Sequence, residues 1–419
     1  MTDLIAYLKT ERGRKAGIGV FLAGLSALFT FSGYEMIRSP SESIFLDYFT
    51  AQDKAYALSL VPLVMFFFIY LYGRALSAWG SMRAMSVSMS FAILSFFAFY
   101  LLLKYSPNKP LAFLVFVFKE SYVVILSEQY WSYINSVLKD DEGRLFNGPV
   151  AGLGALGSLI GGWFVSRYVS YFKTDLYILF SGLCLLPALW LFRAAYRDTG
   201  EPEPGEDEAA GKKGHLHLSI LKENRTVLLI ALMIFTTQVV ATLFDINFTG
   251  YVKDSMGDKD LRTAFLGDFW MKVNIVSFSM QFLLTPLILK HFRIKAIQVA
   301  IPLIHIATSL YIIAAPGLFS ASLAFLLFKS MDYSIFRASK EILYIPFSYD
   351  TRYRAKQVAD AFTYRFSKGT TSVFLSLTNL VSKVSIAVFP IFTLLFSGIW
   401  TFLAFNIREK GPAEAGPDV

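Results

Sequence analysis

Arg365 and Lys368 stand three residues apart in an apolar stretch at 357–381, and no acid lies three or four residues from either. That spacing puts both cations on one face of a helix. A cation at the centre of a bilayer costs roughly 2.5–3.5 kcal/mol on insertion scales, so two without a local acid call for an anion. The anion comes from another helix, with Asp245, Glu128 and Glu35 as candidates, from a bound ligand, or is not needed because the charges snorkel to the interface. Phosphate suits the pair, since a guanidinium offers a planar fork of donors and an ammonium a point charge.

The elements that carry such residues are set by composition. Of 419 residues, 55% are hydrophobic and 17% charged, a balance that lipid solvation demands and a soluble domain does not show. Apolar stretches near the roughly twenty residues that cross a bilayer fall at 16–37, 55–76, 83–103, 110–138, 148–171, 175–196, 226–252, 263–289, 295–315, 317–345, 357–381 and 384–406. The expected fold is therefore an all-α membrane protein of about twelve spans. Lys9, Arg12, Arg14 and Lys15 precede the first stretch as in a signal peptide. No small-residue cleavage site follows, so a retained first helix is expected.

The segment 197–225 holds Glu201, Pro202, Glu203, Pro204, Gly205, Glu206, Asp207 and Glu208 and cannot bury a core. It divides the chain into a six-helix half at 1–196, a cytoplasmic linker at 197–225 and a second half at 226–419. Lys and Arg are in excess in the loops on the side of both termini, which places the termini in the cytoplasm. The same loop bias accounts for the net charge of +8, so no nucleic-acid partner is expected. Val117-Phe118-Lys119 and Leu327-Phe328-Lys329 sit at matching places in the fourth helix of each half, a short trace of an internal repeat. Parallel six-helix halves are the major facilitator arrangement, with the substrate near the midplane.

Lys119, Lys272, Lys329, Arg337, Lys340, Arg365 and Lys368 are the basic residues assigned to spans. Lys329 with Asp332, and Arg337 with Glu341, have the spacing to neutralise one another on one helix face. Lys119 and Glu120, like Lys340 and Glu341, are sequence neighbours that point in different directions and are not expected to pair. Glu128 and Asp245 are mid-helix carboxylates, suited to carrying a coupling proton, to gating or to holding a lysine. Gly152-Leu153-Gly154-Ala155-Leu156-Gly157 has the spacing of a dinucleotide fingerprint, but no strand precedes it. Gly154, Ser158 and Gly162 instead suggest a small-residue packing face. Four histidines and the single Cys184 leave little for a metal site or a hydrolytic centre, so neither an enzyme nor a cofactor is expected.

Arg337-Ala338-Ser339-Lys340-Glu341-Ile342-Leu343-Tyr344-Ile345-Pro346, with the basic run 352–356, resembles the Lys-Glu-x-x-Tyr-Ile-Pro segment and following Lys-rich stretch of the ATP/ADP translocases of plastids and intracellular bacteria. Arg365-Phe366-Ser367-Lys368-Gly369 is similar to their Arg-x-Gly-Lys-Ser-Gly motif, with Ser367 in place of glycine. Glu128 and Trp131 resemble the Glu-Leu-Trp motif with the Trp displaced by one. Glu142-Gly143-Arg144-Leu145-Phe146 looks like the Ala-Lys-Arg-Leu-Phe stretch of bacterial relatives. The resemblance implies the facilitator fold, exchange of adenine nucleotides, substrate contact by Lys368, and acidic positions at Glu128 and Asp245. Asp245 stands where the translocases typically have Glu, and Ser41 where they carry Lys.

The expectation is an alternating-access carrier, monomeric, in a bacterial inner membrane. Lys119, Lys340, Arg365 and Lys368 would hold the phosphates, and Glu128 and Asp245 would exchange partners. Aromatic residues near Tyr34 and Trp131 would hold a base. Glu35, Lys272, Lys329, Asp332, Arg337 and Glu341 would serve as gating or paired charges. Two other readings stay open: a proton-coupled carrier of another organic anion or phosphorylated metabolite, and a membrane scaffold or sensor derived from a carrier.

Overall fold

The computed structural model describes residues 10–138, 140–200, 220–345, 363–382 and 384–407. The basic run 352–356 and most of the linker lie outside them. The described residues are helical: α1 (Glu11–Tyr48), α2 (Lys54–Trp79), α3 (Ser81–Tyr105), α4 (Lys109–Val137), α5 (Asp140–Phe172) and α6 (Leu176–Thr199). After the linker come α7 (Arg225–Ser255), α8 (Lys259–His291), α9 (Ile294–Ala314), α10 (Leu318–Ile342), α11 (Tyr364–Val381) and α12 (Phe389–Phe405). Among the described residues, 11 helices are long and apolar enough to cross a membrane. The fold is all-α, as the apolar stretches require. In place of the expected span 357–381, α11 is described from Tyr364.

Helix α1 runs on to Tyr48, past the end at 37 that hydropathy suggests. Pro40 lies inside it and leaves one backbone carbonyl without its usual donor. The next residue, Ser41, donates its hydroxyl to Arg38 O at 3.0 Å. The extension carries Arg38, Glu42 and Asp47 into helical positions.

Contact within the chain divides it into two compact units: residues 1–49, 63–212 and 257–271 in the first, residues 50–62, 213–256 and 272–419 in the second. Each unit takes in a short segment from the other half of the sequence. In the first unit α1 packs on α5 and α6. Gly157 and Gly161 permit the approach, because a Cβ on either would lie 2.1 Å and 2.5 Å from the carbonyl oxygens of Leu28 and Ser32. The packing glycines on α1 are thus 154, 157 and 161, while Gly162 faces Met271; the expected spacing of four becomes a helical face of three and four. Phe96, Phe99, Phe118 and Tyr122 form an aromatic centre, with Phe118 and Tyr122 stacked at 5.6 Å.

The second unit is built around α7, whose apolar window is 83% buried and so meets protein rather than lipid on nearly every side. His305 of α9 sits among Phe244, Phe328 and Trp400. Two π-helical turns interrupt longer helices, Met280–Leu284 in α8 and Asp332–Phe336 in α10, and they pack against each other. Such turns widen a helix and re-aim its side chains, frequently at functional sites. On the outer surface of α2, Leu63, Phe66 and Phe67 are exposed, as lipid contact requires.

Candidate functional site

In the first unit, α1 and α4 bring Glu42 and Lys119 together. Lys119 is 2% exposed, and its Nζ lies 2.6 Å from Glu120 Oε1, 3.9 Å from Glu42 Oε2 and 4.3 Å from the Phe116 ring. The lysine therefore does pair with its sequence neighbour. Adjacent Cα–Cβ bonds diverge, but four methylenes let the ammonium swing back across the backbone. One turn before Glu42, Arg38 donates to Glu35 at 3.2 Å and lies 3.2 Å from the Trp270 ring and 5.5 Å from Tyr34. A guanidinium sandwiched this way gains both an ion pair and attraction to the aromatic faces.

Arg262, near the start of α8, is 3% exposed. It donates to Ser43 O at 3.2 Å and forms an ion pair with Asp47. Beside it Lys259 pairs with Asp175 at 2.8 Å, and Asp260 accepts from the backbone and hydroxyl of Thr174. In the second unit, Lys54 begins α2 and is equally buried; its Nζ meets Asp245 Oδ1 at 2.9 Å and Thr249 Oγ1 at 3.2 Å. Asp245, expected to contact substrate or to gate, is thus held by a lysine.

Helix α10 carries three basic residues, Lys329, Arg337 and Lys340. Lys329 lies 5.6, 5.7 and 5.5 Å from the rings of Phe325, Phe328 and Tyr333. Asp332, in the π-helical turn, feels the positive charges of Lys329, Lys340 and Arg337. Arg337 is exposed, while Lys340 and Glu341 are half-buried. Ser339 is fully buried and accepts from Gln298 at 3.0 Å, which ties α10 to α9. On α11, Lys368 is half-buried beside the buried Ser367, whose hydroxyl donates to Thr363 O. Arg365 belongs to the same helix, and its side chain lies outside the described residues.

Glu128 and Lys272 are exposed on their helices. Trp131 packs against Tyr130 at 5.3 Å. A cavity lined by Ser26, Thr30, Ser127 and Tyr130 measures about 10 Å³, room for one water and not for a base. Arg38, Lys54 and Arg262 each adjoin the end of an apolar stretch, where hydropathy alone places a loop. The carboxylates nearby, Glu35, Asp245 and Asp47, were the available signal.

A profile of the TLC ATP/ADP transporter family matches residues 318–410, the stretch that carries α10, α11 and α12. The likeness to the ATP/ADP transporters holds. ADP,ATP carrier protein 1 of Chlamydia trachomatis is 22% identical over 289 residues, covering 58% of this chain and 54% of that protein. Its counterpart in Chlamydia muridarum matches to the same extent. The chain thus spans about half the length of the curated relatives it matches. Among solved structures, a mutant form of the nucleoside transporter NupG superposes with a TM-score of 0.67 at 12% identity, covering 92% of this chain and 98% of that one. A bacterial homologue of the iron transporter ferroportin gives 0.67 at 12%, covering 93% and 99%. The D-xylose-proton symporter gives 0.64 at 13%, covering 91% and 96%. The fold is major facilitator-like.

Proposed function

We propose that the chain is an alternating-access carrier of an anionic substrate, and that the substrate is a nucleotide exchanged in the manner of ATP and ADP. The observation that carries this reading is the concentration of Lys329, Arg337, Lys340 and Lys368 on α10 and α11, within the stretch that matches the transporter family. Phosphate oxygens entering a low-dielectric bundle lose hydration, and fixed cations replace it. Lys340 and Lys368 are the side chains we assign to the phosphates. Lys119 would take part only after leaving Glu120 and Glu42, which makes it a partner-exchanging group and not a standing phosphate site.

Replacing Lys368 by Ala should abolish exchange of radiolabelled ADP or ATP in vesicles reconstituted with purified protein, while the protein elutes and melts as the parent does. Unchanged exchange would overturn the assignment. A second reading, a proton-coupled carrier of another organic anion or phosphorylated metabolite, draws on Ser41. It is fully buried, donates to Arg38 O, and stands where the translocases carry a cation. Uptake driven by an imposed pH gradient, without stimulation by nucleotide inside the vesicle, would favour that reading. In either case we assign a monomer with both termini in the cytoplasm of a bacterial inner membrane, and sequence halves 1–196 and 226–419 as the moving repeats.

A further inference from the structure

Helices α4 and α10 are the fourth helices of their halves, with Phe118-Lys119 and Phe328-Lys329 at matching places. Three residues on they part: α4 has Tyr122 within an uninterrupted α-helix, and α10 has Asp332, where its π-helical turn begins. That turn decides which side chains share a face. At about 100° per residue, a plain α-helix would set Arg337 about 140° and Lys340 about 80° from Asp332 around the axis. A π-helical turn absorbs one residue and takes out one such step, which leaves Arg337 about 40° and Lys340 about 20° away. Lys329, before the turn, stays about 60° away on the same side. Asp332 is thus half-buried in the middle of a basic face, and the charges that act on it are those of Lys329, Lys340 and Arg337. The other acid of α10, Glu341, is half-buried beside Lys340. The π-helical turn packs on α9 and on the π-helical turn of α8, and α7 covers the part of α10 before it. On these helices His305 lies among aromatic rings, Lys295 faces Phe405, Asp245 meets Lys54 and Lys272 is exposed. Lys253 and Asp254 of α7 and Lys290 and His291 of α8 stand at helix ends.

We propose that Asp332 is the resident counter-anion of this basic face: ionised while the face is empty, it takes up one proton from water when a substrate phosphate binds Lys340 and its neighbours. The inference rests on the assignment of Lys340 to a phosphate. In the empty carrier three cations on one helix face repel one another, and a carboxylate among them offsets part of that cost. A bound phosphate changes both terms that keep the carboxylate charged. It neutralises the cations and adds like charge beside them, and each effect favours the protonated acid. The proton adds to a carboxylate oxygen, no other bond changes, and the resulting O–H is a donor that can face a phosphate oxygen. Each anion bound then brings a proton with it. In an exchange cycle the outgoing anion returns that proton, so exchange itself stays insensitive to a pH gradient, whereas net uptake does not.

The test is calorimetric titration of the purified full chain with ADP, and separately with pyrophosphate, in pairs of buffers whose ionisation heats differ, so that the protons taken up per ligand are counted. Near neutral pH the parent should take up about one proton more per ADP than Asp332→Asn, a difference in which the titration of the nucleotide itself cancels. The Asn amide supplies the donor of the protonated acid without its charge, so the variant should bind ADP at least as tightly as the parent. As pH rises, the parent should lose affinity relative to the variant by up to about tenfold per pH unit. Equal proton counts, or weaker binding by a variant that elutes as the parent does, would overturn the proposal; the second result is that of an acid which only positions the lysines. Should Asp332→Asn fail to elute as monodisperse protein, the parent alone decides at about pH 8, where the nucleotide phosphates are already ionised. Proton uptake there supports the inference, and none overturns it. Binding of ADP with no difference in protons refutes this inference and leaves the nucleotide assignment standing. Pyrophosphate bound with a proton while ADP gives no heat does the reverse, and binding of neither refutes both.

Discussion

Lys119 offers a quantitative test of how this protein buries charge. Its ammonium faces two carboxylates, at 2.6 Å and 3.9 Å. At an effective interior dielectric of about 20, unit charges at those separations attract by about 6 and about 4 kcal/mol. Desolvation of three ions consumes several kcal/mol each, so the net worth of the group is small even though its parts are large. Lys119→Met removes the attraction and leaves both desolvation penalties, and should destabilise by about 3–5 kcal/mol. Adding Glu120→Gln should recover more than adding Glu42→Gln, because the nearer carboxylate loses more with the lysine. Side-chain exposure works against this ordering, with Glu120 at 19% and Glu42 at 10%, and narrows the gap without closing it. Coupling energies of about 2–3 kcal/mol for Lys119 with Glu120 and about 1–2 kcal/mol with Glu42 are expected. The assay is a pair of double-mutant cycles on reversible unfolding in mixed detergent micelles. A larger coupling to Glu42, or a loss below about 1 kcal/mol for Lys119→Met, would refute the reasoning.

Arg38→Lys keeps the charge beside Glu35 but loses the planar stack on Trp270, and should cost about 1–2 kcal/mol with a change in tryptophan emission; an unchanged melting temperature and spectrum would count against the stack. Gly157→Ala forces a methyl to 2.1 Å from a backbone carbonyl and should destabilise by about 1–3 kcal/mol, while Gly73→Ala meets nothing within 4 Å and should stabilise by up to about 1 kcal/mol. The two melting temperatures, measured side by side, separate close packing from simple helix propensity.

The helices were legible because lipid imposes long apolar runs, and the core of a water-soluble domain rarely has room for so many of that length. Helix ends were not. Hydropathy registers contact with lipid, so a span appears to stop at the first polar residue even where the helix continues into protein. Arg38 lies one residue beyond the apparent end of α1, Lys54 one before the apparent start of α2, and Arg262 one before that of α8. All three are helical in the structure and buried or nearly so. The pairing of Lys119 with Glu120 escaped for a different reason: rules of helix spacing describe where Cβ atoms point, and a lysine can depart from them by the length of its side chain. The π-helical turns have no sequence signature in the residues that form them.

The distribution of charge bears on which half holds an anion. On α1 and α4 the buried and half-buried ionisable residues include Glu35, Glu42 and Glu120 against Arg38 and Lys119; on α10 and α11 they include Lys329, Lys340 and Lys368 against Asp332 and Glu341, with Arg337 exposed beside them. A polyphosphate approaching the first set meets acids already in contact with the cations, and must displace them. On the proposed reading, a polyphosphate approaching the second set meets more cations than acids, and that net positive charge attracts it. On that reading, Lys340 and Lys368 rank above Lys119 as proposed phosphate contacts, and Lys119 has a conditional role. It also explains how an aligned serine at 41 is compatible with an anionic substrate. The cation that relatives carry on the first helix would here stand within the acidic set, where Arg38 already occupies the space beside Glu35 and Trp270.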